Sequence, residues 1–159
     1  MESVQEWAIR YAKRGWFVIP LNGINEDGTC TCARGEECDS AGKHPFWMGW
    51  QDRASNDPKE VELWFDDVTP RNIGVVCGPS GLVVIDIDGP EGEALLRPLV
   101  EAGVVPACPQ VRTRRGRHLY LRGTLPAAKL HGLDIKSGNG FVVAPPSMRA
   151  DGEQYEWVA

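Results

Sequence analysis

The sequence predicts an α+β fold, because helical signals dominate its first part and short apolar, strand-like runs dominate everything after Pro109. Size and continuity support one domain over 1–159. A chain of 159 residues, 42% hydrophobic and 25% charged, has the balance of an ordinary globular domain. It contains no internal repeat, low-complexity tract or linker that would divide it.

The elements follow in order. Ser3 and Glu6 have the spacing of a capping box, and Val4, Trp7, Ala8, Tyr11 and Ala12 recur at helical spacing until Gly15 supplies a stop. Residues 16–19 form a short apolar run ended by Pro20, which reads as a buried strand. A polar stretch rich in Gly and Cys follows to about residue 51, and a loop of that length is expected to be functional or metal-stapled. Asp57, Pro58 and Glu60 open a brief second helix with Val61, Trp64 and Phe65 facing inward.

Segments 73–77 and 82–88 flank the turn residues Gly78, Pro79, Ser80 and Gly81, which predicts an antiparallel hairpin. A third helix over 91–102 carries Leu95, Leu96 and Leu99, with Pro98 expected to kink or shorten it. Strands are then expected at 110–113, 118–122, 133–137, 141–144 and 155–158.

Composition bounds the function. The net charge of −5 gives the whole molecule no attraction for nucleic acid, so any grip on phosphate needs a local basic patch. Arg112, Arg114, Arg115, Arg117 and Arg122 cluster with His118 and supply one, although a solvated hairpin tip would look the same. No apolar stretch approaches a membrane span and the start lacks a signal-peptide core, so a soluble cytoplasmic protein without membrane partners is expected.

The segment from Leu82 to Gly89 carries the chemistry. Strand alternation puts Asp86 and Asp88 on one face and Ile85 and Ile87 on the other. Two adjacent carboxylates repel unless a cation lies between them, and Mg²⁺ or Mn²⁺ takes oxygen ligands of this kind; a solvated strand end is the bland alternative. Asp134 and Lys136 share a face in the same way, with Ile135 behind them and a Gly138-Asn139-Gly140 turn after. If their strand lies beside the first, three aspartates can hold two ions about 3.5–4 Å apart, as nucleotidyl transfer requires. Residues 113–118 read as a tight hairpin, after which His118, Tyr120 and Arg122 share one face. A histidine and arginines beside such a centre suit triphosphate oxygens.

The order of these motifs resembles the bifunctional primase-polymerase N-terminal domain of phage and plasmid replication proteins, in the archaeo-eukaryotic primase superfamily. The resemblance runs from Tyr11-Ala12 and the segment Gly15 to Leu21, through Lys43-His44-Pro45 and Asn72-Ile73-Gly74-Val75, to Asp86-Ile87-Asp88. It continues through Thr113 to His118, Leu133 to Lys136, Gly140 to Ser147, and Gly152, Tyr155 and Trp157. It implies an α/β module joined to an RRM-like, mostly antiparallel sheet, with the catalytic cleft between them.

By that resemblance Asp86, Asp88 and Asp134 hold catalytic Mg²⁺ or Mn²⁺, and His118 contacts the incoming nucleotide. Arg114, Arg117 and Lys136 are the further nucleotide-binding candidates. The family pattern has serine two residues before the histidine, where this chain has Gly116, and Arg114 or Arg117 is expected to compensate. The implied activity is template-directed nucleotidyl transfer in DNA replication, as a DNA polymerase and in some members a primase. Its partners are single-stranded or primed DNA, dNTP or NTP, and a helicase within a longer replicase, in the host cytoplasm for a phage protein. Two other classes share these residues: a metal-dependent nuclease, and a zinc-stapled nucleic-acid-binding module without catalysis.

The chain has five cysteines, an odd number that fits no evenly paired disulfide framework. Cys30, Cys32 and Cys38 with His44 offer three thiolates and an imidazole, the donor set of a closed structural Zn²⁺ site in the loop at about 22–51. Free thiols are the alternative. Cys77 and Cys108 read as small core residues. Lys43 has the charge to reach a phosphate or template backbone, or lies in solvent. Trp47 and Trp50 are expected to cover the loop or fill core more than to stack on bases.

Overall fold

The computed structural model describes residues 2–66 and 68–159. In chain order the elements are α1 (Val4–Lys13), β1 (Phe17–Asn22), α2 (Trp50–Arg53), α3 (Pro58–Trp64), β2 (Arg71–Val76), β3 (Leu82–Asp88), α4 (Gly89–Glu101), β4 (Gln110–Arg112), β5 (Gly116–Arg122), β6 (Ala128–Leu130), β7 (Leu133–Lys136), β8 (Phe141–Ala144) and β9 (Glu156–Trp157). The class is α+β. The strands form two sheets, ordered β1-β2-β8 and β6-β7-β3-β5-β4-β9. Every ladder between them is antiparallel.

The capping box forms as the sequence predicts: Ser3 Oγ accepts from the Glu6 N–H, and Glu6 accepts from the Ser3 N–H at 2.7 Å. The inward stripe of α1, with Ala8, Tyr11 and Ala12 buried, joins Val61 and Phe65 and the apolar residues of β1, β2 and β8 in the larger core. A second core of Ile85, Ile87, Leu96, Val105, Leu119 and Leu133 lies between α4 and the other face of the larger sheet. Strand alternation thus splits β3 between two cores. Leu82 and Val84 enter the first, Ile85 and Ile87 the second.

The hairpin predicted between 73–77 and 82–88 does not form. Both edges of β2 are already taken, by β1 and β8, while β3 pairs with β5 and β7. The turn itself closes, with the Leu82 N–H donating to the Cys77 carbonyl at 3.0 Å, but it passes the chain from one sheet to the other. The turn from β7 to β8 crosses beside it, where the Cys77 N–H donates to the Gly140 carbonyl and the Gly78 N–H to that of Gly138, both at 2.8 Å. A Cβ on Gly78 would lie 2.6 Å from the Gly138 oxygen, so the crossing admits no side chain there.

Two prolines also behave differently from expectation. β1 continues through Pro20 to Asn22, because β1 is an edge strand in the sheet order. The Pro20 carbonyl accepts from Phe46 on the outer side, so the missing N–H removes no bond from the β2 ladder. α4 starts at Gly89 and runs past Pro98 to Glu101, with the Ala102 N–H returning to the Pro98 carbonyl. β6 has no counterpart in the sequence reading, being a short, wholly exposed strand at the sheet edge.

Candidate active site

The apolar part of the β3 face that packs in the larger core gives way, two residues further on, to carboxylates. Asp86 is paired directly with His118 on β5 and with Asp134 on β7, and Asp134 is paired in turn with Lys129 on β6. Lys129, Asp134, Asp86 and His118 therefore form one row across four strands. Residues opposed in this way have Cβ atoms about 4.5–5.5 Å apart. Asp86 and Asp134 are thus neighbours on adjacent strands. Asp88 lies two residues further along the same face and Lys136 is paired with Val84, so both join it.

Asp88 is opposed by Gly116, where any Cβ would lie 1.9 Å from the Ile87 carbonyl oxygen. A side chain at this position requires the central strand to shift. Close packing continues below it. The Asp88 N–H donates to the Gly132 carbonyl at 2.8 Å, and a Cβ on Gly92 would lie 1.9 Å from that same oxygen. β3, α4 and the β6–β7 turn thus meet at backbone distance and fix where Asp88 emerges.

Burial alone raises the Asp86 carboxyl pKa, but His118, Lys136 and Lys43 together outweigh it and hold the group below the usual aspartate range. His118 Nε2 lies 3.4 Å from Asp86 Oδ1, and its buried Nδ1 has no hydrogen-bond partner among the described residues. Tyr155 stacks on the imidazole with ring centroids 6.2 Å apart; burial first, then the Asp86 charge, pushes its hydroxyl up to about 12. Asp88 is paired with Arg115 Nη2 at 2.9 Å.

Asp86 lines two cavities. One, of about 550 Å³, collects all three aspartates with Arg115, Lys129 and His131. The other, of about 380 Å³, lies between the sheets: Asp86, His118 and Lys136 come from the larger sheet, Phe141, Val142 and Val143 from β8, and Lys43 and Trp50 from the long loop and α2. Hard oxygen donors converging on one cavity fit Mg²⁺ or Mn²⁺. Lys129 and His131 carry no signal as site residues in the sequence, because the pairing of β6 and β7 beside β3 rather than local pattern brings them here.

The arginines divide. Arg114 lies at a separate cavity beside the cysteine loop, 4.0 Å from Asp151. Arg117 is corrected as a candidate nucleotide ligand: strand alternation puts it on the face opposite His118. There it makes two 2.9 Å bonds to Glu93 on α4 and one of 2.8 Å to Gln110.

Cys30, Cys32, Cys38 and His44 converge, with one donor atom from each within 4.8 Å of all the others. Among the described residues this is the one group of metal-type donors so tightly gathered. His44 Nε2 lies 3.5 Å from Cys30 Sγ and 3.4 Å from Cys38 Sγ, near the edge lengths of a tetrahedron with Zn–S of about 2.3 Å. Burial opposes ionisation of Cys32, but the Arg34 N–H and the neighbouring donors lower its thiol to about 6. Trp47 packs edge-on against Trp64, and Trp50 packs edge-on against Phe141 while also lining the cavity between the sheets.

A family model described as bifunctional DNA primase/polymerase, N-terminal, matches residues 8–159. No curated protein matches the chain.

Proposed function

We propose that this chain, which belongs to the bifunctional DNA primase/polymerase N-terminal family, extends DNA by template-directed transfer of nucleotides to a 3′-hydroxyl. The observation that carries the reading is the registered row of Asp134, Asp86 and His118, with Asp88 on the same face. Asp86, Asp88 and Asp134 are the residues to hold Mg²⁺ or Mn²⁺. Such ions, when bound, favour the hydroxyl's attack and steady the charge on departing pyrophosphate.

The chain's own groups do the positioning. Asp86 orients His118 through Nε2, and the imidazole contributes to the nucleotide cavity between the sheets, where Lys136 supplies charge for phosphate oxygens. The aromatic and aliphatic wall of Trp50, Phe141 and Val142 suits a sugar and base. Arg115 pairs with the Asp88 carboxylate at the edge of the site. Template and primer are single-stranded or primed DNA, and polymerisation is proposed ahead of unaided priming. The cysteine-histidine cluster takes Zn²⁺ as a closed structural site.

The test is extension of a labelled primer on a single-stranded template with Mg²⁺ or Mn²⁺, comparing the wild type with Asp88→Ala. Extension lost in a folded variant supports the reading. Strand cleavage instead of extension would make the same carboxylates a nuclease site, and retention of DNA without either reaction would leave a binding module.

A further inference from the structure

The cysteine-histidine cluster and the cavity beside Asp86 meet at consecutive residues. His44 turns to the thiols of Cys30 and Cys38, while Lys43 lines the cavity that holds Asp86, His118 and Lys136. The chain turns before Lys43, whose N–H donates to the Ser40 carbonyl at 3.0 Å, and bends at His44, so one short stretch serves both places. That stretch is fastened to the body of the protein. The His44 carbonyl accepts from the Asn22 N–H at 3.0 Å, and the Phe46 N–H donates to the Pro20 carbonyl at 3.0 Å. The Gly42 carbonyl accepts at 2.8 Å from buried Asn72.

Lys43 itself is exposed and makes no ion pair among the described residues. Of the basic residues around this cavity, Lys136 and His118 are carried by strands, whereas Lys43 is carried by a loop whose residues 25–41 bury little apolar surface. Such a loop is ordered by what its donors bind rather than by packing.

We propose that the metal-bound loop is the mount of a triphosphate-binding lysine: coordination of His44 holds Lys43 at the cavity, and its ammonium takes the phosphates of a nucleoside triphosphate. Two sites joined in this way are thermodynamically linked, so triphosphate must tighten metal binding by the factor by which metal tightens triphosphate. The inference rests on the reading of this cavity as the nucleotide's, and it is tested by binding alone, without turnover.

The affinity for a non-hydrolysable deoxynucleoside triphosphate is measured on the zinc-loaded wild type, Lys43→Ala and Lys43→Arg. The expected result is a loss of about tenfold in Lys43→Ala, typical of one charge-assisted contact, substantial recovery in Lys43→Arg, and unchanged zinc content. Zinc retention is then measured against a competing chelator with and without the triphosphate. Triphosphate should strengthen retention in the wild type and not in Lys43→Ala. Equal triphosphate affinity in wild type and Lys43→Ala overturns the role of Lys43, and equal protection of zinc in both overturns the linkage. No triphosphate binding by the wild type at all overturns the nucleotide cavity itself and this inference with it.

Discussion

Asp86 and Asp134 stand directly opposite each other on neighbouring antiparallel strands, with His118 opposite Asp86 on the other side. Two carboxylates at this separation are compatible only with flanking positive charge or a shared cation. Lys129 at one end of the row supplies part of that charge in the protein itself.

Asp134→Asn keeps the shape of the row and removes one anionic ligand. Extension should fall by about a thousandfold, corresponding to several kcal/mol of lost charge stabilisation, while the thermal midpoint stays equal or rises because a like-charge pair is gone. Single-turnover extension and a melting curve check this together. Near-normal extension would remove Asp134 from the metal centre.

Asp86 predicts an acid dependence. Its folded pKa lies below the ordinary carboxylate value, so its stabilising contribution is fully present above about pH 4 and is lost as the pH falls through the folded value beneath it. Below pH 4 the melting temperature of the wild type should therefore drop more steeply than that of Asp86→Asn. Parallel slopes would mean that the contact with His118 contributes nothing to folding.

Gly116→Ala should destabilise the protein although the residue is not in the core. Its Cβ meets the Ile87 carbonyl at 1.9 Å, and Ile87 belongs to the central β3, which is paired on both sides and cannot retreat. A cost of about 2 kcal/mol, or roughly 4–8 °C in a domain of this size, is expected. A melting curve unchanged within a degree would refute the close approach.

Arg117→Ala should lower stability by about 0.5–1 kcal/mol, through loss of the forked bond to Glu93 between β5 and α4, and leave triphosphate affinity unaltered. Denaturant unfolding and nucleotide titration separate the two effects. Weakened nucleotide binding with intact stability would return Arg117 to the site.

In zinc-depleted protein the thiols should differ in reactivity. Cys32, lowered to about 6, should alkylate well before Cys77, which burial pushes up to about 11. Mass spectrometry of protein treated with iodoacetamide gives the order, and zinc should protect Cys32. Equal rates with and without the metal would argue against Cys32 as a ligand.

Local pattern carried much of this site. The alternation of Asp86-Ile87-Asp88 and of Asp134-Ile135-Lys136 is a backbone property, so the face shared by the acids was legible before any partner strand was known. The same alternation put Arg117 away from His118, which the resemblance alone obscured. The turn at Gly78–Gly81 was also legible as a turn, but turn chemistry says nothing about which strand occupies the next ladder, and β1 and β8 had already filled both edges of β2.

The sequence by itself determined the α+β class, the capped first helix, the faces of the two acidic strands and the donor set of the cysteine loop, because each depends on spacing within one segment. Only the tertiary structure decided that Asp134 lies beside Asp86, that Lys129 closes the row, that Gly116 has no room for a side chain, and that Lys43 reaches the cavity from the loop. Most of those relations join residues far apart in the chain, and even the pairing of Lys129 with Asp134 matters only because β7 lies beside β3. They are set by strand order and backbone approach, which arise only when the whole core is packed at once.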